Sequence, residues 1–435
     1  MTECTRVQRR QKVMPHRPRR RVVTSRRQPG VLFQFLASQS VGQAADAITA
    51  IVLARLLITG DDDGLDPQAL IHTLGVAAVP YAIVGPLSGV VADRWSRRRL
   101  LGGAHLARAV TTLAAIMAIS LDDRAIGLVA GGLLLSLARL VYTLRAASLP
   151  AVAASGRLVE ADARSLLVGM LAVLLGASFG ALGADGAPVL MLTIACCGQL
   201  IGAAGFVTLP RGLGGRSTGP DASIAEIARR LGRLVTSAPT RLAIVLTSLH
   251  RSLLGALFVT FVLLAASELG MGSDAYIFAL GVSGIGSFAG TLTAPAAART
   301  LGSRRLAIAA FLCPGVVVVA ITSMRWPPII ALAVCASFFV FQNLRVSTDA
   351  TVQAHIASDA RARVFSIYDA AYNLSYFGGA LVAVTLGAAT APMTAFLTIG
   401  SIDLLIGLTL AAGRVELFVP RVAPTKGIHA ATSKT

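Results

Sequence analysis

Long apolar runs separated by short polar connectors fill the chain. They fall at about residues 31–58, 70–92, 99–120, 125–149, 163–183, 187–209, 241–267, 275–298, 305–323, 328–349, 362–388 and 391–413. Each reaches the roughly 20 apolar residues that a helix needs to cross about 30 Å of hydrocarbon. A helix also satisfies its own backbone N–H and C=O groups, which lipid cannot do. The pattern predicts an all-α membrane protein with twelve transmembrane helices.

Composition agrees. Of 435 residues, 55% are hydrophobic and 14% are charged, against about 45–50% and about 25% in a soluble domain. Mean hydropathy is +0.72. A disordered chain, a collagen and an ordinary cytosolic enzyme are excluded. The formal net charge of +18 invites a nucleic-acid reading, but the placement of the charges argues against one. Arg clusters lie in the N-terminal tail, in Asp93–Arg99, in residues 211–241 and in Arg299–Arg305, while Asp61–Asp63, Asp66, Asp122, Asp123, Asp185, Glu268 and Asp274 fall in the alternate connectors. This alternation follows the positive-inside rule and puts both termini in the cytoplasm of a plasma-membrane protein.

Residues 1–30 carry ten Arg/Lys and one acid. With no cleavage motif after them, they read as a retained cytoplasmic tail, either topogenic or touching anionic lipid headgroups. The five cysteines form no disulfide framework, since four lie in apolar runs. Asp61-Asp62-Asp63-Gly64 lacks the spaced ligands and closing Glu of a calcium loop and reads as an acidic external turn. The longest inner connector, 210–240, divides a 31–209 half from a 241–413 half, with 414–435 as a second tail. Within it Ile224, Ile227, Leu231 and Leu234 recur at helical spacing among Arg229, Arg230 and Arg233, which predicts an amphipathic helix on the membrane surface.

The halves echo each other. Ala92-Asp-Arg-Trp-Ser-Arg-Arg-Arg-Leu100 follows span 2, and Ala298-Arg-Thr-Leu-Gly-Ser-Arg-Arg-Leu306 follows span 8; Arg145 ends span 4 as Arg345 ends span 10. Parallel repeats of this kind place a substrate site at the bilayer midplane between the halves.

The stretch Gly85-Pro-Leu-Ser-Gly89-Val-Val-Ala-Asp93-Arg94-Trp-Ser-Arg97-Arg98-Arg99 resembles the signature loop of the major facilitator superfamily, Gly-x-x-x-Asp-Arg-x-Gly-Arg-Arg, with Ser96 in place of the usual Gly. Gln43-Ala-Ala-Asp46-Ala-Ile, Arg145-Ala-Ala-Ser-Leu-Pro150 with Leu158–Asp162, and Asp359–Asp369 are similar to the drug, macrolide and siderophore exporter branch. The resemblance covers about 31–413. It implies two six-helix halves that rock about a central cavity, with no cofactor and a monomeric state.

Gly85 and Gly89 share a helix face that a neighbour can approach closely. The family pattern implies that Asp93, followed by Arg94, meets the start of span 11 near Arg361 and forms a gating latch, with Arg97 and Arg98 pairing with acids or headgroups. Arg145 reads as a motif residue and Asp369 as a gate partner. Charges inside spans are costly and usually face a cavity or a partner. Asp46 lies about 22 Å into span 1, and Arg251 with His250 about 15 Å into span 7, at 1.5 Å per residue. Asp46 is the expected proton carrier. Arg139 is expected to bind an anionic substrate or pair with Asp46, Arg108 to pair with Asp403 or lipid, and Arg345 to pair with Asp349. No phosphate-binding loop, zinc helix or Cys-x-x-Cys pair is present, so ATP drive and a metal centre are unsupported.

The expected function is proton-coupled efflux of small amphipathic or hydrophobic compounds. The partners are protons, a small-molecule substrate and lipid, with no nucleic acid. An importer or a lipid or siderophore translocator on the same fold, and a non-transporting scaffold, are the alternatives.

Overall fold

The structure is a computed structural model that describes residues 29–59, 64–153, 158–210, 238–322, 326–355, 361–387 and 391–413. The basic tail, the 211–237 connector with its expected amphipathic helix, Asp61–Asp63 and the 414–435 tail lie outside the described residues.

Twelve helices make up the described chain. They are α1 (Pro29–Ile58), α2 (Pro67–Arg94), α3 (Arg97–Leu121), α4 (Arg124–Val152), α5 (Leu158–Gly183), α6 (Pro188–Val207), α7 (Ala238–Ser267), α8 and α9 as the two arms of Asp274–Thr322, α10 (Pro327–His355), α11 (Arg361–Gly387) and α12 (Pro392–Ala412). The α8 and α9 arms meet at Gly302, whose φ of 71° breaks the helix. A side chain there would be strained. Among the described residues, ten helices are long and apolar enough to cross a membrane. In α11, Tyr372, Asn373, Ser375 and Tyr376 interrupt the apolar run.

Polar residues at the turns start and stop these helices. The Asp66 carboxylate accepts the Gln68 N–H at the start of α2, just before Pro67. Asp122 ends α3 in a left-handed conformation, and Asp123 accepts the N–H groups of Ala125 and Ile126 at the start of α4. This acidic turn is two back-to-back caps, one closing a helix and one opening the next.

The repeat legible in the sequence is present in the packing. Arg98 donates to the carbonyls of Val207 and Leu209 at the end of α6, and Arg304 donates to that of Gly413 at the end of α12. Arg97 donates to Ala92 O at 3.2 Å and Ala147 O at 2.6 Å, near the ends of α2 and α4. Guanidinium groups there satisfy carbonyls that a helix leaves open. These hydrogen bonds of Arg97 and Arg98 go to helix-end carbonyls, and the expected pairing with acids or headgroups lies outside what the described residues test. Ser88 and Thr143 join α2 to α4 at 2.8 Å, as Thr293 and Asn343 join α8 to α10 at 3.3 Å. Gly176 packs α5 on Ala44 of α1, and Gly379 packs α11 on Ser252 of α7. Between the halves, α2 lies along α11, with Gly85 facing Ala370 and Tyr81 facing Phe377 at 5.3 Å.

Candidate functional site

A cavity of about 600 Å³ lies between the halves. Its apolar wall includes Leu53, Leu57, Leu70 and Leu74 from the first half and Phe258 and Phe377 from the second; its polar wall includes Gln39, Gln43, Asp46, His105, Arg108, Arg139 and Arg145. The size is that of small-molecule sites, about 300–1,000 Å³.

Asp46 is held by two neighbours in its own half. It pairs with Arg108 of α3, which is 2% exposed. Gln199 of α6 donates from Nε2 to Asp46 Oδ1 at 2.7 Å, while its Oε1 meets His105 Nδ1 at 2.7 Å. An amide oxygen can only accept, so His105 carries its proton on Nδ1. Its Nε2 has no partner among the described residues. His105 packs over Gly42, where a Cβ would overlap the ring. A carboxylate, a guanidinium, an amide and an imidazole thus form one chain on the cavity wall.

Of the other sequence-level pairings, that of Arg345 with Asp349 is present and two differ from expectation. Arg139 pairs with Asp369 of α11, not with Asp46, and so joins the halves. Arg345 of α10 lies 3.9 Å from Asp369 and 3.8 Å from Asp349. Asp403 pairs not with Arg108 but with His250 of α7, at 3.2 Å and with both side chains buried. The reason is helix order: α3 packs chiefly on α6 and α4 within its half and also meets α1, and α12 packs on α9 and α7 within the other. His250 lies off the cavity wall, between Phe311 and Phe341. Arg251 points elsewhere, with its guanidinium over the rings of Tyr376, Tyr372 and Phe341. Arg145 lies over Tyr142 and reaches Ser165 at 3.4 Å.

Gly85 faces Ala370 at 3.5 Å. The side chains of Gly89, Asp93 and Arg94, and those at the start of α11, lie outside the described residues, and with them the expected Asp93 latch. Among the described residues, no three His, Cys, Asp or Glu side chains gather as a metal site would need.

Sequence reasoning passed over His105, Gln199, Tyr81, Tyr276, Tyr376 and Phe377. His105 and Gln199 were findable, as polar residues inside apolar runs. The aromatic residues carried no such mark.

On the opposite side of the membrane from the α1 start, Arg55 at the end of α1 bridges Asp185 of its own half, at 2.8 Å, and Asp274 at the start of α8. Two ion pairs join the halves, Arg55–Asp274 at the end of the cavity where α1 stops and Arg139–Asp369 on the cavity wall itself, nearer the start of α11.

No family model matches the chain. It is 27% identical over 407 residues to uncharacterized MFS-type transporters of Mycobacterium tuberculosis and Mycobacterium bovis, covering 87% of this chain and 90% of each relative. Among solved structures it is similar to a mutant of the nucleoside transporter NupG (TM-score 0.69, 13% identity, 88% of this chain and 99% of that one). A POT family peptide transporter gives TM-score 0.66 at 12% identity, over 91% and 99% of the two chains. A bacterial homologue of the iron transporter ferroportin gives 0.60 at 14%, over 88% and 97%. Twelve helices in two repeated halves, the central cavity and these likenesses agree: the chain is a multi-pass membrane protein with the major-facilitator fold.

Proposed function

We propose that the protein is a secondary transporter that exports small amphipathic compounds from the cytoplasm across the plasma membrane in exchange for protons. The observation that carries this reading is Asp46, a carboxylate on the wall of a cavity shared by both halves and tied to Arg108 and Gln199. Protonating Asp46 removes the counter-charge of Arg108, so the proton and the local charge of the cavity change together. The nucleoside, peptide and iron transporters that share the fold carry unlike cargoes, so the fold itself fixes neither cargo nor direction.

The test is uptake of lipophilic dyes into inverted vesicles under an imposed pH gradient. Accumulation that collapses with a protonophore is expected, and Asp46→Asn should abolish the gradient-driven component. Gradient-driven uptake that is unchanged in Asp46→Asn would remove Asp46 from the coupling.

A further inference from the structure

Most charges inside the described spans pair with an opposite charge; Arg145 and Arg251 do not, and Arg145 reaches the Ser165 hydroxyl instead. Asp46 is with Arg108, Asp403 with His250, and Asp369 and Asp349 with Arg139 and Arg345. Arg251 makes no ion pair and no hydrogen bond among the described residues, and its Nε is buried without a partner. Three rings surround the guanidinium instead, with centroids at 4.3 Å (Tyr376), 4.9 Å (Tyr372) and 5.3 Å (Phe341). The negative faces of the rings attract the cation. They accept no N–H bond in the plane of the guanidinium, which keeps all its donors. The hydroxyl of Tyr372 is likewise buried without a partner. A cation and an O–H, both donors, stand side by side with no acceptor.

This pair adjoins the cavity. Arg251, Gly255 and Phe258 lie four and three residues apart on α7, on one helical face. Phe258 is a wall residue, and Gly255 lets the backbone of Tyr376 approach. Tyr376, the ring nearest the guanidinium, is itself part of the wall. Opposite lie Leu53, Leu57, Leu70 and Leu74.

We propose that Arg251 and Tyr372 form an anion-recognition subsite on the second half, and that the cargo is an amphipathic anion. Its carboxylate or phosphate head accepts from the guanidinium and the phenol, and its apolar body lies against the leucine wall. This assignment rests on the transport reading for its meaning and on binding alone for its test.

The experiment uses the purified full-length protein in detergent and measures fluorescence anisotropy of 11-dansylaminoundecanoic acid, its methyl ester and the matching alkyl phosphate. The acid is expected to bind at least ten-fold more tightly than the ester, and the phosphate arm reports which head is preferred. Arg251→Gln should bring the acid-to-ester ratio close to one, and Arg251→Lys should keep part of it. Tyr372→Phe removes only the hydroxyl and should lower the ratio about three-fold, which keeps the test open if the Arg251 variants fail to fold. Equal binding of acid and ester, or a ratio untouched by all three variants, would overturn the subsite and leave the rings as the only partners of Arg251. A clear acid preference with no flux in vesicles would instead count against transport and leave the subsite standing.

Discussion

Asp46 and Arg108 show how a membrane core handles a charge. Arg108 is 2% exposed and Asp46 24%, so removing one partner strands the other where solvation is poor. Breaking a buried pair costs about 3–5 kcal/mol. Arg108→Ala should therefore lower the thermal stability of the detergent-solubilised protein sharply, and the Asp46→Ala/Arg108→Ala double variant should recover much of the loss. Equal losses in the single and double variants would show that the pair is not coupled. Asp46→Asn should be milder, because an amide oxygen still accepts from Arg108. At this scale the sequence is half legible. A charged residue inside an apolar run announces itself, which is how Asp46, Arg139 and Arg251 stand out. Its partner does not, because pairing depends on which helices touch: Arg108 and Asp403 look matched along the chain but belong to different halves.

Helices are more legible than contacts. The apolar runs locate the spans, and the acidic turn Asp122–Asp123 lies where one helix must stop and the next start. What pattern alone does not give is which glycines carry close crossings. Gly378 and Gly379 are neighbours on α11 with opposite surroundings. A Cβ at Gly378 meets nothing within 4 Å, whereas one at Gly379 runs into the Ser252 backbone of α7. Overpacking costs about 1–3 kcal/mol, so Gly379→Ala should destabilise by about that much and push α11 away from α7. Gly378→Ala should be neutral or slightly stabilising, since alanine favours a helix over glycine. Thermal unfolding of the two variants checks this, and equal behaviour would mean that the α7–α11 crossing is not held by close backbone approach. No arrangement of apolar letters separates two adjacent glycines; only the angle between the helices does.

For the whole molecule the question is how the halves are held over the cavity. The two cross-half ion pairs differ in environment. Arg55 and Asp274 are 24% and 57% exposed, while Arg139 and Asp369 are 11% and 14% exposed. An exposed pair is worth about 0–1 kcal/mol, a population change of about five-fold at most. A buried pair with one partner removed costs several kcal/mol, which exceeds a ten-fold change. If the halves rock, the two pairs pull the equilibrium in opposite directions, and the buried one should pull harder. Thr73 lines the cavity near the α2 start, the end on the Arg55–Asp274 side. A cysteine placed there by Thr73→Cys, in a background freed of native cysteines, reports access from that face to an impermeant maleimide. Asp274→Asn should speed its labelling by up to about five-fold. Asp369→Asn should slow it by more than ten-fold, because the opposite side of the cavity then opens more readily. Both variants shifting labelling the same way would show that the two pairs are not opposed, and that the halves move about some other axis than one lying between them.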